Sequence, residues 1–255
     1  MRACLLGILL LVSTSALAAP DYAREKRWAD EITPFIVVGD PIYLTQKNGH
    51  KFLGIYAEAA NARMGVVVVH GLGVNPDWGM IGTLRQSLPD YGYTTLSIQM
   101  PVLAADALPE AYTATFPEAV ERLQLAVGYL KEKGYKRIAI VSHSMGSRMA
   151  HAYMIRNPVD VCAWAALGMQ AAADKHDTAL TYIGIKVPVL DLYGSKDLPR
   201  VLAGAALRRL SLEGNAASKQ QVIAGANHFY AGHEDEMVRA VRDFLDRVSS
   251  ACGEE

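Results

Sequence analysis

The chain has 255 residues, of which 51% are hydrophobic, enough to bury one substantial core. Lysine and arginine number 25 against 26 aspartates and glutamates, for a formal net charge of −1. That balance excludes a basic footprint for nucleic acid or an anionic membrane surface, so no nucleic-acid partner is expected.

The N-terminus departs from this soluble pattern. Arg2 precedes an apolar run over residues 4–12, and Ala16-Leu17-Ala18-Ala19 follows. A basic start, a short apolar region and an A-x-A site mark a secretory signal peptide. Residues 1–19 are therefore expected to be removed, leaving 20–255 as a single exported domain, periplasmic or secreted. The apolar run is shorter than the ~20 residues of a spanning helix, so no transmembrane segment is expected in the mature chain; an uncleaved anchor is the alternative. Two cysteines then remain, Cys162 and Cys252. An even pair in an oxidising compartment can form a disulfide, and two free thiols are the alternative.

Residues 21–28 read as a polar arm or short helix. The β-like runs 42–46 and 51–58 flank Lys47-Asn48-Gly49-His50, and Asn-Gly there predicts an antiparallel hairpin closed by a type I′ turn. The continuous apolar run 64–69 predicts a buried strand ending in His70-Gly71-Leu72-Gly73. A helix over 77–88, a strand over 93–98 and a long loop over 101–116 come next. Pro117 opens an amphipathic helix over 118–133 that Gly134 ends. A strand over 138–141 runs into a helix from Met145 to about Asn157-Pro158. Beyond it come a strand over 162–168, a short connection over 171–186, a strand over 187–193, a helix over 198–212, a strand over 219–223 and a helix over 232–248. Strands alternating with helices predict an α/β fold with a mostly parallel sheet covered on both faces and its ligand site at the carboxyl ends of the strands. The last helix returns antiparallel to the strands, which places Cys252 near Cys162 at the end of the sheet away from that site.

Between strand 138–141 and its helix stands Ser142-His143-Ser144-Met145-Gly146. Small residues two positions either side of Ser144 suit a sharp turn that thrusts the central hydroxyl out at a helix N-terminus, where free N–H groups favour negative charge. An ordinary turn rich in small residues is the alternative. A serine needs a base, and His228 follows the last strand; the base needs a carboxylate, and Asp197 follows the strand before it. Asp174 and Asp177 are alternative placements for the acid, whereas Asp191 lies within a strand. Two converging backbone N–H groups are expected from Leu72, or else Gly73, and from Met145. Trp78, Met169 and Phe229, with Leu72, Val74, Met145, Leu198 and Tyr230, are candidates to line an apolar substrate pocket; packing in the core is the alternative for each. His50, His70, His143, His151 and His233 form no metal motif, and neither metal nor cofactor is expected.

The Ser142–Gly146 stretch resembles the nucleophile elbow G-x-S-x-G of α/β-hydrolases, with Ser142 in place of the first glycine, and the order serine, acid, histidine is the one that fold uses. The resemblance spans residues 42–248 and is closest to a bacterial group of exported α/β-hydrolases of unassigned function, with the run HGLGVNPDW as a further point of similarity. It implies an eight-strand α/β-hydrolase fold and a Ser144–His228–Asp197 triad, and no particular substrate. The short 171–186 connection leaves no room for a large cap domain. The expected activity is hydrolysis of a small-molecule carboxylic ester or thioester through an acyl-enzyme, falling below about pH 6.5 if the base is an ordinary imidazole. Alternatives are a peptidase, an acyltransferase, or a binding module that kept the fold without activity.

Overall fold

Eight strands form one sheet in a computed structural model that describes residues 19–170, 181–249 and 252. In chain order they are β1 (Asp40–Thr45), β2 (Lys51–Ala57), β3 (Met64–Val69), β4 (Tyr93–Ile98), β5 (Ile138–His143), β6 (Ala163–Leu167), β7 (Val189–Lys196) and β8 (Lys219–Asn227). The spatial order is β1-β2-β4-β3-β5-β6-β7-β8. β1 and β2 pair antiparallel, as do β2 and β4, and every other pairing is parallel. The helices are α1 (Tyr22–Ile32), α2 (Gly79–Ser87), α3 (Phe116–Glu132), α4 (Met145–Met154), α5 (Pro199–Ser211) and α6 (Glu234–Ser249).

The central strands are continuous apolar runs because both sheet faces are buried. In β3 successive side chains alternate: Val67 and Val69 pack with α3 and α4 residues such as Leu123 and Met149, while Val66 and Val68 pack with Leu84 of α2 and Phe244 of α6. α1 lies outside these two layers, and its Ala29 packs on Leu53 and Ile55 of β2. The undecided segment 21–28 is thus helical, with Asp21 capping the Arg24 N–H at 2.9 Å.

The hairpin forms, but its turn is not type I′. Gly49 alone has positive φ, at 86°, its N–H donates to the Gln46 carbonyl at 2.9 Å, and the Gln46 N–H donates to the His50 carbonyl. One left-handed glycine at the last position of a four-residue turn is the three-residue hairpin loop with a bulge, which needs no positive φ at Asn48. β8 also runs past its expected end at 223 to Asn227, directly before His228.

Cys162 precedes β6 and Cys252 follows α6, and their sulfurs are bonded with the Cα atoms 5.4 Å apart. The pair lies at the amino ends of the parallel strands. Residues 1–18, which hold most of the signal peptide expected over 1–19, and residues 171–180, with Asp174 and Asp177, lie outside the described residues. No helix among the described residues is long and apolar enough to cross a membrane.

Candidate active site

Three strand ends bring three side chains together. Ser144 stands between β5 and α4 with φ 55° and ψ −120°, a conformation a side-chain-bearing residue adopts only under constraint. The Ser144 N–H donates to the Leu167 carbonyl at 2.9 Å, which ties the turn to β6. Two glycines make room. A Cβ on Gly146 would collide with the His70 carbonyl, and one on Gly71 would press to 3.1 Å from the Ser144 Cβ. Ser142 fills the position where the elbow pattern has glycine because its hydroxyl has partners: it accepts from the Trp164 indole N–H at 2.8 Å and lies 3.1 Å from the Ser147 hydroxyl.

His228 Nε2 lies 2.9 Å from Ser144 Oγ, and its Nδ1 lies 2.6 Å from Asp197 Oδ1. All three residues are buried. An ionised Asp197 can only accept, so Nδ1 carries the proton and Nε2 is left to accept from the serine hydroxyl. The Asp197 oxygens also accept from the Leu198 N–H at 2.7 Å and the Gly194 N–H at 3.4 Å. Burial alone would raise the Asp197 carboxyl; the hydrogen bond and charge of His228, joined by those two N–H groups, outweigh it and hold the carboxyl below its ordinary value. The register breaks between Gly194 and Lys196, whose partners in β8 are Ile223 and Asn227, so β8 carries the extra residues of a bulge immediately before His228.

The loop carrying His228 is fixed on several sides. The Asn227 side-chain oxygen accepts from the N–H groups of Phe229 and Ala231, and buried Tyr230, at φ 55°, donates its hydroxyl to the Leu192 carbonyl at 2.9 Å. His143 donates from Nε2 to the His228 carbonyl at 2.8 Å. Burial, then the neighbouring His228, lowers the His143 pKa to about 3, so this ring stays a neutral donor.

The turn His70-Gly71-Leu72-Gly73 borders the serine. His70 Nε2 accepts from the Met100 N–H at 2.8 Å and faces the Gln99 amide at 2.9 Å, so the proton sits on Nδ1 and is donated to the Gly71 carbonyl at 2.8 Å. The carbonyl and N–H of one trans peptide point in opposite directions, so holding Gly71 O toward the His70 ring turns the Leu72 N–H away from it. Burial lowers the His70 pKa to about 4, which keeps this arrangement neutral. Met145 opens α4, where a first-turn N–H has no partner within the helix.

Other candidates separate. Trp78 and Phe229 are half exposed and meet edge to face at 5.3 Å, and Leu72 and Leu198 are similarly exposed. Met169 and Tyr230 are not at the surface: both are fully buried, because the end of β6 and the turn after His228 are covered on every side, so their apolar character belongs to the core. Asp191 is buried in β7 and occupied by Arg208 at 3.0 Å and the Tyr182 hydroxyl at 2.8 Å. His50 faces Glu25 and His233 faces Glu236; no cluster of metal-ligating side chains occurs among the described residues.

The sheet order, the strained serine turn and the positions of the three side chains define the α/β-hydrolase fold. Residues 39–121 match the family described as protein of unknown function DUF3530, a stretch from β1 into α3 that stops before Ser144. Similar solved structures include a protein of unknown function from Agrobacterium tumefaciens (15% identity, 83% of this chain and 97% of the other, TM-score 0.65). A dienelactone hydrolase from Anabaena variabilis has 18% identity over 81% of this chain and 95% of the other, TM-score 0.63. An esterase from Pyrococcus furiosus has 16% identity over 82% and 89%, TM-score 0.64. Comparison by sequence with curated proteins gives no match.

Proposed function

We propose that this chain is a serine hydrolase acting on a small-molecule carboxylic ester or thioester. The observation that carries the reading is the single imidazole bridging Ser144 Oγ at 2.9 Å and Asp197 Oδ1 at 2.6 Å. His228 Nε2 takes the hydroxyl proton as Oγ attacks the carbonyl carbon, and Asp197 stabilises the imidazolium that forms. The tetrahedral oxyanion is held by the N–H groups of Leu72 and Met145. His228 then returns the proton to the leaving alcohol or thiol, leaving an acyl-enzyme. Water, deprotonated by the same imidazole, cleaves it to the free acid. The half-exposed Trp78, Phe229 and Leu198 beside the site suit an apolar acyl group. An esterase and a dienelactone hydrolase among the similar folds accord with this chemistry. We also propose that the protein works after export, with the leading segment cleaved after Ala18 or Ala19; N-terminal sequencing of the exported protein should begin at Ala19 or Pro20.

A fluorophosphonate probe tests the central reading. Covalent labelling of the wild type, absent in Ser144→Ala, is expected, and a folded wild type that takes no label overturns it. Turnover of p-nitrophenyl esters of graded chain length then reads the acyl preference.

A further inference from the structure

The turn proposed to supply an oxyanion N–H is built from loose parts. Two of its four residues are glycines, and Gly73 has φ 65°. Little in its own sequence holds it to one geometry, so the fixing must come from outside. Part of it comes from the His70 ring and the Met100 N–H. Further ties come from the Gln99 amide, which donates to the Val74 carbonyl at 3.5 Å, and from the first helix, which lies before the stretch matched by the family.

α1 meets residues 99–103 and the turn at successive points. The Asp21 N–H donates to the Val102 carbonyl at 2.7 Å, and the Val102 N–H donates to Glu25 Oε1 at 3.3 Å. Glu25 Oε2 accepts from Arg122 at 2.9 Å, and the same Arg122 nitrogen donates to the Gln99 carbonyl at 3.0 Å. Arg24 joins the loop to the turn itself: one guanidinium nitrogen donates to the Leu103 carbonyl at 2.7 Å and the other to the Gly73 carbonyl at 3.4 Å. The Arg24 guanidinium also stacks over Trp28, 4.5 Å from the ring centroid, and this fixes the side chain's direction.

We infer that Arg24 is a positioning residue for the oxyanion turn, so that α1 acts as a strap holding the catalytic N–H groups in place; this rests on the serine-hydrolase reading above. His70 holds the Gly71 carbonyl, in the peptide that carries the Leu72 N–H, and Arg24 holds the Gly73 carbonyl, in the peptide that joins Gly73 to Val74, so the Leu72–Gly73 peptide between them is tied at both ends. Arg24 touches no reacting atom. It acts by limiting how far the Leu72 N–H can swing. Since removing an oxyanion donor outright typically costs about 10²–10³ in kcat, loosening one should cost roughly 10-fold.

The test compares wild type, Arg24→Met, which keeps an apolar stem over Trp28, and Arg24→Lys. Each is normalised to active sites titrated with the fluorophosphonate. Arg24→Met should lose about 10-fold in kcat per titrated site with KM little changed, and a trifluoromethyl ketone, which forms the oxyanion, should bind about 10-fold more weakly. Arg24→Lys, retaining one charged donor, should recover part of both. A merely structural arginine would lower the titratable fraction or the melting temperature while leaving kcat per site and ketone affinity unchanged, and that result overturns the inference. Should Arg24→Met not fold, Arg24→Lys decides alone: unaltered kcat and ketone affinity count against the strap. A wild type that neither labels nor turns over esters removes the hydrolase reading itself.

Discussion

At the scale of single residues, the site depends on a serine held where serine does not settle by itself. A side-chain-bearing residue in such a conformation costs on the order of 1–3 kcal/mol, held here by the Ser144 N–H bond to Leu167 and the close fit of Gly71 and Gly146. Glycine at an ordinary position is about 1 kcal/mol worse than alanine, through its unfolded-state entropy. Relief of strain reverses that here: Ser144→Gly should be at least as stable as Ser144→Ala in urea unfolding, and an ordinary deficit for the glycine variant would show the turn to be relaxed. Asp197 supports a second prediction. Its Oδ1 receives the Leu198 and His228 donors and its Oδ2 the Gly194 donor, so an amide there sets its NH2 against a donor in either orientation. Asp197→Asn should therefore fold but lose on the order of 10⁴ in kcat, read from steady-state ester hydrolysis. That Ser144, His228 and Asp197 meet was legible because each stands where a strand ends. The partner of Ser142 was not: the Trp164 indole that makes a serine acceptable there lies 22 residues on, in the neighbouring strand.

At the scale of elements, periodicity located every strand and helix of the sheet, and the errors fell where packing or loop closure decides. The hairpin turn closed with one left-handed glycine instead of two left-handed residues, a choice the Asn-Gly pair leaves open. α1 read as undecided since few of its side chains face a core and its docking is polar. Arg122 of α3 is the clearest omission. A charged letter on an amphipathic helix reads as solvent-facing, yet this guanidinium is fully buried, with Glu25, Glu118, Gln46 and the Gln99 carbonyl around it. Glu25 lies 97 residues away in the chain, so no local pattern could announce the pair. Removing one member of a buried pair leaves the other charge uncompensated, so Arg122→Ala should destabilise by about 3–5 kcal/mol in denaturant unfolding. The double variant Glu25→Gln with Arg122→Met should recover much of that loss. If the two changes simply add, the ion pair is not what docks α1.

At the scale of the whole molecule, the chain places its covalent staple and the proposed active site at opposite ends of one sheet, with Cys162 and Cys252 at the amino ends and Ser144, Asp197 and His228 at the carboxyl ends. Building that carboxyl end required two fully buried imidazoles besides that of His228, and they set how the fold responds to acid. Burial lowers the pKa of His70 to about 4 and of His143 to about 3, whereas both titrate near 6.5 in an unfolded chain. Above 6.5 neither state binds these protons, and the stability is whole. As pH falls below 6.5 the unfolded chain takes up protons that the folded one refuses, so stability declines, down to about 4 for His70 and about 3 for His143. Each site accounts for on the order of a few kcal/mol across its window. Asp197 adds to the loss only below the ordinary carboxylate range, because its folded pKa is the lowered one. The urea midpoint should accordingly drop between pH 7 and 4.5, before carboxylates titrate in bulk. His143→Gln retains an N–H for the His228 carbonyl without a titrating ring, and should flatten that decline even where it lowers stability at pH 7. A wild-type midpoint constant over this interval would mean that the two rings accept protons in place, and that the neutral tautomers holding the His70–Gly73 turn and the His228 loop do not persist.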